Sequence, residues 1–364
     1  MSKEQSSYDR IIIGTSPLAI TEAVFQKKQG NSVLNIDNRQ EVGGAWTTIK
    51  HQGIPEVEIG CHIWEVEKNA TSFLKKFFNL TLISLKPSPR LYKNGLAIPY
   101  DLKMNISTSK YLLSKIARLK FNQIGPGLRT PANRFVLVPN KYLYPRGGAK
   151  ELYNQLKHKI DQENVNTLLD TTIESIVINT NGCTISMENN SNRIKTNQLI
   201  LTSLSNIKCI DFEDGSHIIP ETKQVEYIHL HILATGSIPK QFSYHRIMDD
   251  DMIHRISDMS FQVVEEINAD QVLLCVGIHS QKYHSATQAD LLTGIINKLK
   301  ARNLLSSEAV IDAHGFNIFS SYYTNPDLLT EIAHRSNGKL AVLRSTSFTY
   351  AFHNRLKDYQ SLIS

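Results

Sequence analysis

Residues 10–46 read RIIIGTSPLAITEAVFQKKQGNSVLNIDNRQEVGGAW, and the rest of the chain is organised around them. The apolar run Ile11-Ile12-Ile13 stops at Gly14, and helical composition follows from Pro17 to Gln29. A second apolar run, Ser32 to Ile36, ends on Asp37. This is a β-α-β unit of about 30 residues, the size of a mononucleotide-binding half. In the Gly-x-Gly-x-x-Gly fingerprint, amides at the helix N-terminus approach a pyrophosphate, and an acid roughly 20 positions on binds a ribose hydroxyl. Here the three positions are Gly14, Ser16 and Ala19, with Asp37 as the acid. Gly14 keeps the tight turn, and Ala19 is small enough for close helix–strand packing. Ser16 places a side chain where a phosphate wants bare backbone. Its hydroxyl either bonds a phosphate or marks a site that binds none.

The continuation is Asp37-Asn38-Arg39-Gln40-Glu41-Val42-Gly43-Gly44-Ala45-Trp46. An acid at the strand end, a basic residue two later and a Gly-Gly pair resembles the FAD-binding segment of the flavin amine oxidase and UDP-galactopyranose mutase superfamily. The resemblance implies that Asp37 holds the adenosine ribose and that Gly43-Gly44 passes beside the dinucleotide. Arg39 and Trp46 belong to the same cofactor-binding segment. Two adjacent glycines also have a physical reading, because they let backbone run flush against a flat ligand.

With 364 residues, the chain suits two intimately packed domains rather than one small core. Hydrophobic content of 41% and charged content of 20% are those of an ordinary soluble globular protein. A net charge of +6 fits an anionic small ligand such as a dinucleotide or sugar nucleotide. Nucleic acid is not expected, since no Lys/Arg block interleaved with aromatics occurs. Cys61, Cys183, Cys209 and Cys275 have no metal-like spacing and read as reduced thiols of a cytoplasmic protein. No run of about 18 apolar residues is present, so no membrane span is expected. The sequence carries no signal for oligomeric state.

Along the chain, Gly60-Cys61-His62-Ile63-Trp64 resembles the mutase segment that lies against the flavin ring, and His62 matches its histidine. A second histidine of that segment is Glu65 here. Read without the resemblance, His62 is a loop histidine bonded to backbone. Residues 69–80 read as an amphipathic helix with Phe73, Leu74, Phe77 and Phe78 inward and Asn69 or Thr71 as its cap. Residues 90–100 read as a hairpin about Asn94-Gly95. Residues 107–121 read as a helix with a solvated basic face. Tyr142-Leu143-Tyr144-Pro145-Arg146-Gly147-Gly148, leading into a helix over 149–163, is among the more specific signatures of the same superfamily. Strands are expected at 173–178, 183–187 and 194–203, and from 207 to 285 the chain is β-rich.

Within that β-rich part, His245, Asp249, Asp250, Asp251 and His254 invite a metal reading. A solvated polar loop is the better one, since no ligand pair sits at a fixed helical offset. His229 and His231 alternate on a strand and share a face, which strand pairing explains. Residues 286–305 read as one more helix. The C-terminal piece resembles the superfamily's last cofactor-contacting strand and helix, with Leu343 where a glycine is usual and Arg344 retained. Arg344, a guanidinium fork suited to bidentate contact, is expected to pair with a diphosphate or an anionic substrate group.

The resemblance spans Tyr8 to about Tyr359. It implies an α/β fold, with a Rossmann-like FAD-binding domain built from discontinuous segments and a mixed α+β substrate domain. The FAD domain takes residues 1–65, 140–205 and 330–364, and the substrate domain takes 66–139 and 206–329. The implied activity is that of a FAD-dependent oxidoreductase or a mutase-like isomerase acting on an anionic small molecule, nucleotide-sugars among them. His62 and Arg344 are the catalytic candidates. The alternative is a non-catalytic binding protein on the same fold with a lost or weakened flavin site, as in Rab GDP-dissociation inhibitors. A NAD(P)-dependent oxidoreductase with a single β-α-β unit is disfavoured by the Tyr-Pro-Arg-Gly-Gly and C-terminal features. No hydrolase or metalloprotease motif is present; in flavoenzymes the cofactor supplies the chemistry and the protein orients it.

Overall fold

The structure is a computed structural model that describes residues 7–60, 64–65, 67–85, 90–93, 96–124, 142–188, 190–202, 204, 207–220, 222–236, 244–324, 326–343 and 348–363. Strand β1 (Ser7–Ile13) leads into helix α1 (Pro17–Lys28) and strand β2 (Val33–Ile36). Ser16 caps α1, Pro17 takes its first turn, where no amide partner is needed, and Lys27 and Lys28 face the negative end of the dipole. A hairpin, β3 (Thr48–His51) and β4 (Ile54–Glu58), follows. Next come strand β5 (Trp64–Glu65) and helix α2 (Lys68–Phe77). The cap of α2 is Glu67, whose carboxylate accepts the Ala70 amide at 2.6 Å; neither Asn69 nor Thr71 caps it. Phe73, Leu74, Phe77 and Phe78 are buried, as the periodicity predicts.

Strands β6 (Leu82–Leu85), β7 (Arg90–Lys93) and β8 (Leu96–Pro99) precede helix α3 (Tyr100–Ala117). The expected hairpin is present in the β7–β8 pairing, although Asn94 and Gly95 lie outside the described residues. Helix α3 begins earlier than the basic pattern suggested, because Pro99 ends the strand and tolerates a helix start. Strand β9 (Tyr142–Pro145) and helix α4 (Gly148–Gln162) follow.

The first sheet has nine strands. Five are parallel around β1, namely β2, β10 (Asn166–Leu168), the C-terminal half of β13 (Asn190–Leu201), β21 (Leu340–Val342) and β1 itself. The hairpin strands β11 (Ile173–Asn179) and β12 (Gly182–Met187) extend it through the other half of β13. Strands β14 (Ile207–Phe212) and β15 (His217–Ile218) complete it on the far edge. These last two were expected with the β-rich second half of the chain; the parallel pairing of β14 with β11 assigns them to the first sheet instead.

Alternation sends Ile12 and Ile200 to one face, against α1, α2, α4 and the C-terminal Phe352, Leu356 and Tyr359. It sends Ile11, Ile13, Leu199 and Leu201 to the other, against Leu329 and Ile332. The segment that ends the chain therefore covers the helix that opens it.

The second sheet runs β20 (Val310–Thr324), β16 (Thr222–Thr235), β19 (Gln271–Ile278), β18 (Ile253–Asp258), β17 (Tyr244–Ile247), β7 and β8. One face, Ile228, Leu230, Ile232, Leu274 and Val276, packs on a helix over Gln288–Ala301 through Ile295 and Leu299. The expected single helix over 286–305 is thus shorter, with a separate turn of helix at Ser280–Ser285 before it. The opposite face turns toward the β3–β4 hairpin, through Leu233, Leu273, Ile54 and Val57.

Candidate functional site

The site begins at the turn between β1 and α1. Gly14 donates to the Ile36 carbonyl at 2.7 Å with φ +112°, and a Cβ built on it would lie 2.3 Å from Oγ1 of Thr202. That hydroxyl is held on the Ile13 carbonyl at 2.6 Å, so only glycine fits between the ends of β1 and β13. Ser16 spends its hydroxyl on the amide of buried Ala19, at a long 3.4 Å. Pro17 brings no N–H to the helix N-terminus.

Asp37, buried at the end of β2, takes three donors. Its Oδ2 accepts the Thr15 amide at 2.9 Å and the Thr15 hydroxyl at 2.6 Å, and Oδ1 accepts the Arg39 amide at 3.1 Å. An ionised carboxylate offers about four acceptor positions, so one remains. The Arg39 guanidinium turns back to the Gly44 carbonyl. Gly43 donates to the Thr15 carbonyl at 3.0 Å, and a Cβ on Gly44 would meet the Ser16 Cβ at 3.4 Å. Gly14, Ser16, Ala19, Asp37, Arg39, Gly43 and Gly44 thus form one contiguous corner at the N-terminus of α1. Trp46 is buried below it, edge-on to Trp64 with ring centroids 5.8 Å apart.

His62 lies outside the described residues, while Glu58, Ile59 and Trp64 around it in sequence are described and each has a partner. On one side, buried Glu58 accepts the Tyr144 hydroxyl, and the Ile59 carbonyl meets Nδ1 of His229 at 2.7 Å. On the other, Trp64 pairs with Leu143. The Tyr-Leu-Tyr-Pro strand therefore contacts both Glu58 and Trp64, the described residues on either side of His62 in sequence. Its Arg-Gly-Gly turn starts α4, where the Gly147 amide donates to Glu151 at 3.1 Å.

At the C-terminal piece, the Leu343 amide donates to the Leu201 carbonyl at 2.8 Å, which carries the chain from β21 to the end of β13 beside Gly14. Arg344 is outside the described residues. Helix Phe348–His353 and the turn of helix Leu356–Tyr359 then return to α1. Arg355 meets both carboxylate oxygens of Glu22 at 2.9 and 3.0 Å, and Tyr359 donates its hydroxyl to the same group.

The face of the second sheet that packs on the β3–β4 hairpin carries histidines. His229 and His231 are neighbours on β16, with Asn317 and Gly315 beside them on β20 and Gly277 and Cys275 on β19. The glycines make room for two more imidazoles. A Cβ on Gly315 would sit 2.3 Å from the His51 ring, and one on Gly277 would sit 2.5 Å from the His254 ring. His51, from β3, stands 5.7 Å from His231 between ring centroids, and His229 stands 6.5 Å from it. Burial pushes His231 down to about 3 and His229 down to about 4, so both are neutral near pH 7. Among the described residues, neither ring nitrogen of His231 has a hydrogen-bond partner, nor do Nε2 of His51 and Nδ2 of Asn317.

A family model described as NAD(P)-binding Rossmann-like domain matches residues 12–77. A search of curated proteins returns no match. Among solved structures, reduced UDP-galactopyranose mutase aligns over 98% of this chain and 92% of its own, with TM-score 0.69 and 14% identity. Wild-type putrescine oxidase bound to putrescine aligns over 98% of each, with TM-score 0.62 and 13% identity. A protein described as a protoporphyrinogen oxidase, from an Exiguobacterium species, aligns over 100% of this chain and 99% of its own, with TM-score 0.65 and 11% identity. The chain has the fold of UDP-galactopyranose mutase and putrescine oxidase. At the level of the fold, the resemblance to the flavin amine oxidase and mutase superfamily is borne out.

In this mutase-like fold the polar loop near His245 has a structural use. Asp250 accepts Lys298 at 2.9 Å and Arg302 at 2.7 Å, with the Met252 and Ile253 amides on its other oxygen, and so ties the loop to the Gln288–Ala301 helix. Although burial pushes its carboxyl up, these donors hold it down at about 2. No group of three His, Cys, Asp or Glu among the described residues could hold a metal ion. The sequence reading passed over the histidine face. The alternation of His229 and His231 was visible, but His51 and His254 join them through strand register alone. The one legible hint was the glycines at 277 and 315 inside otherwise β-rich runs.

Proposed function

We propose that this chain is a FAD-dependent oxidoreductase or a mutase-like isomerase acting on an anionic small molecule, with nucleotide-sugars as the substrate class. The observation that carries the reading is the corner where Gly14, Asp37 and Gly43-Gly44 meet at the N-terminus of α1, in a fold aligned end to end with the mutase and the oxidase. We assign the FAD domain to residues 1–65, 140–205 and 330–364, with β14 and β15 added by their pairing in the first sheet, and the substrate domain to the intervening chain.

The residues present fit a dinucleotide. Asp37 has an acceptor position left for a ribose hydroxyl. Ser16 Oγ only accepts in its cap bond, at a long 3.4 Å, so its hydroxyl proton can donate to a phosphate in place of the amide that Pro17 lacks. The flavin, when bound, supplies a two-electron acceptor and donor. The protein then orients the partners: His62 follows Glu58 and Ile59, which Tyr144 and His229 hold, and Arg344 pairs with an anionic substrate group. Where the β3–β4 hairpin meets the second sheet, burial disfavours charge on His51 and His231. Reduced thiols and a cytoplasmic setting complete the reading.

The purified protein is expected to be yellow, with flavin absorbance bands and FAD released on denaturation. Asp37→Asn keeps the shape but weakens a charge-assisted bond worth roughly 1.5–3 kcal/mol, so flavin occupancy falls by about one to two orders of magnitude. Occupancy unchanged in Asp37→Asn would mean that the ribose is held elsewhere. Arg344→Ala is expected to weaken UDP-galactose binding about tenfold or more, and Arg344→Lys less, because the charge stays while the fork is lost. Equal affinities for all three proteins would remove this role.

A second reading rests on the same corner. Thr15 and Arg39 already occupy most of Asp37, and Pro17 takes one donor from the helix N-terminus. Both would suit a binding protein with a weakened flavin site. A colourless protein that takes up no added FAD would decide for it.

A further inference from the structure

Residues 102–150 hold ten Lys and Arg and no Asp or Glu. The rest of the chain, with 30 Lys and Arg against 34 Asp and Glu, is net −4. The whole positive excess of the protein is therefore concentrated in one stretch, and α3 opens it. At about 100° per residue, Leu102, Ile106, Leu113 and Ile116 fall within a narrow stripe of this helix, with Lys103 and Lys110 along one rim.

The stripe does not face a core. Leu102 is 50% exposed, Leu113 66% and Ile116 47%, whereas Thr108 on the opposite side is buried. Past the helix the pattern continues with exposed Leu119 and Phe121 beside exposed Arg118 and Lys120. Leu119 sits at φ +54° and is 77% exposed, in a turn closed by the Lys120 amide on the Lys115 carbonyl at 2.9 Å. Glycine or asparagine ordinarily takes that left-handed position, so a bulky leucine held there in water is unfavourable both in backbone and in solvation. Exposed apolar residues grouped in this way mark an interaction surface.

We propose that α3 and the turn through Phe121 form a peripheral docking face for an anionic lipid surface. The aliphatic stripe enters the headgroup–acyl boundary while Lys103, Lys110, Arg118 and Lys120 meet acidic headgroups. A second copy of the chain fits poorly, because face-to-face contact would oppose basic residues with no acid between Leu102 and Lys150 to offset them. Nucleic acid fits poorly as well. The residues interleaved with the basic ones are mostly Leu and Ile, which gain from acyl chains and neither stack on bases nor bond to them. The helix lies on the membrane and does not cross it; no described helix is long and apolar enough to span one.

The test is co-sedimentation of the purified full-length protein with vesicles of phosphatidylcholine alone and of phosphatidylcholine with about one third phosphatidylglycerol. Binding is expected only to the second, and it should weaken as salt rises. Lys103→Glu/Lys110→Glu is expected to lower the partition coefficient at least about twenty-five-fold, from two basic residues at about fivefold each. Leu113→Gln/Leu119→Gln should lower it about tenfold or more. All four positions are exposed, and an unchanged thermal melt verifies that each variant folds. Failure of the wild-type protein to sediment with anionic vesicles would overturn the proposal, as would sedimentation that neither variant reduces. Binding to duplex DNA, or self-association, that both variants abolish while vesicles stay free of protein would assign the face to that partner instead.

Discussion

Arg355→Met is expected to cost the fold about 3 kcal/mol, because it strands a buried carboxylate. Glu22 is one residue beyond the first turn and a half of α1, and its side chain is 1% exposed. It carries Arg355 on both oxygens, the Tyr359 hydroxyl, and Gln26 at 2.7 Å. Burial and the neighbouring Glu22 carboxylate raise the Tyr359 hydroxyl well above its ordinary range, so it remains a donor at any working pH. Removing the guanidinium leaves Glu22 with neutral donors only, in a core shared by α1 and the C-terminal helices. Glu22→Gln/Arg355→Met removes both charges and should recover most of the loss. The measurement is urea unfolding of the wild type, the two single variants and the double. An Arg355→Met midpoint indistinguishable from wild type would mean that the C-terminal segment is held by its aromatic packing alone.

Acid should loosen the molecule before its carboxylates titrate. The fold holds His229 and His231 neutral, with folded values of about 4 and about 3, against about 6.5 in an unfolded chain. Both folded values are depressed for a base, so the unfolded state binds more protons as pH falls below about 6.5. The stability tied to these rings is fully present above that value and is lost as pH drops toward the folded ones. Between pH 7 and pH 5 each ring accounts for roughly 2 kcal/mol, about 4 kcal/mol for the pair. His231→Phe should remove about half of this pH dependence. It should cost little at pH 7, since no hydrogen bond to either ring nitrogen is given up among the described residues. Denaturant midpoints for wild type and His231→Phe at the two pH values check this. Parallel midpoint losses in the two proteins would show that the acid response lies in other groups.

The two sets of residues differ in how they could be found. The corner at the N-terminus of α1 was legible because its parts are close in sequence and each has a local signature. A β-α-β unit with Gly14, a small Ala19 and an acid at Asp37 is built from contacts that span at most about one supersecondary motif. The Tyr-Leu-Tyr-Pro strand and the Arg-Gly-Gly turn were readable for the same reason, although not the contacts the strand makes with Glu58 and Trp64. Glu22 gave no signal, because its partner is more than 300 residues away.

By itself the sequence determined the α/β class, the opening turn and the resemblance to the mutase and amine-oxidase superfamily, since hydrophobic periodicity and turn chemistry are local properties. Tertiary structure alone decided which strands share a sheet, as with β14 and β15. It decided that Asp37 is already engaged by Thr15 and Arg39, because that bond pattern depends on how two loops meet. It also decided that His51 and His254 join the buried His229 and His231 on one face. Burial and register are properties of the assembled sheets, and they turn scattered, ordinary histidines into a cluster packed on the β3–β4 hairpin.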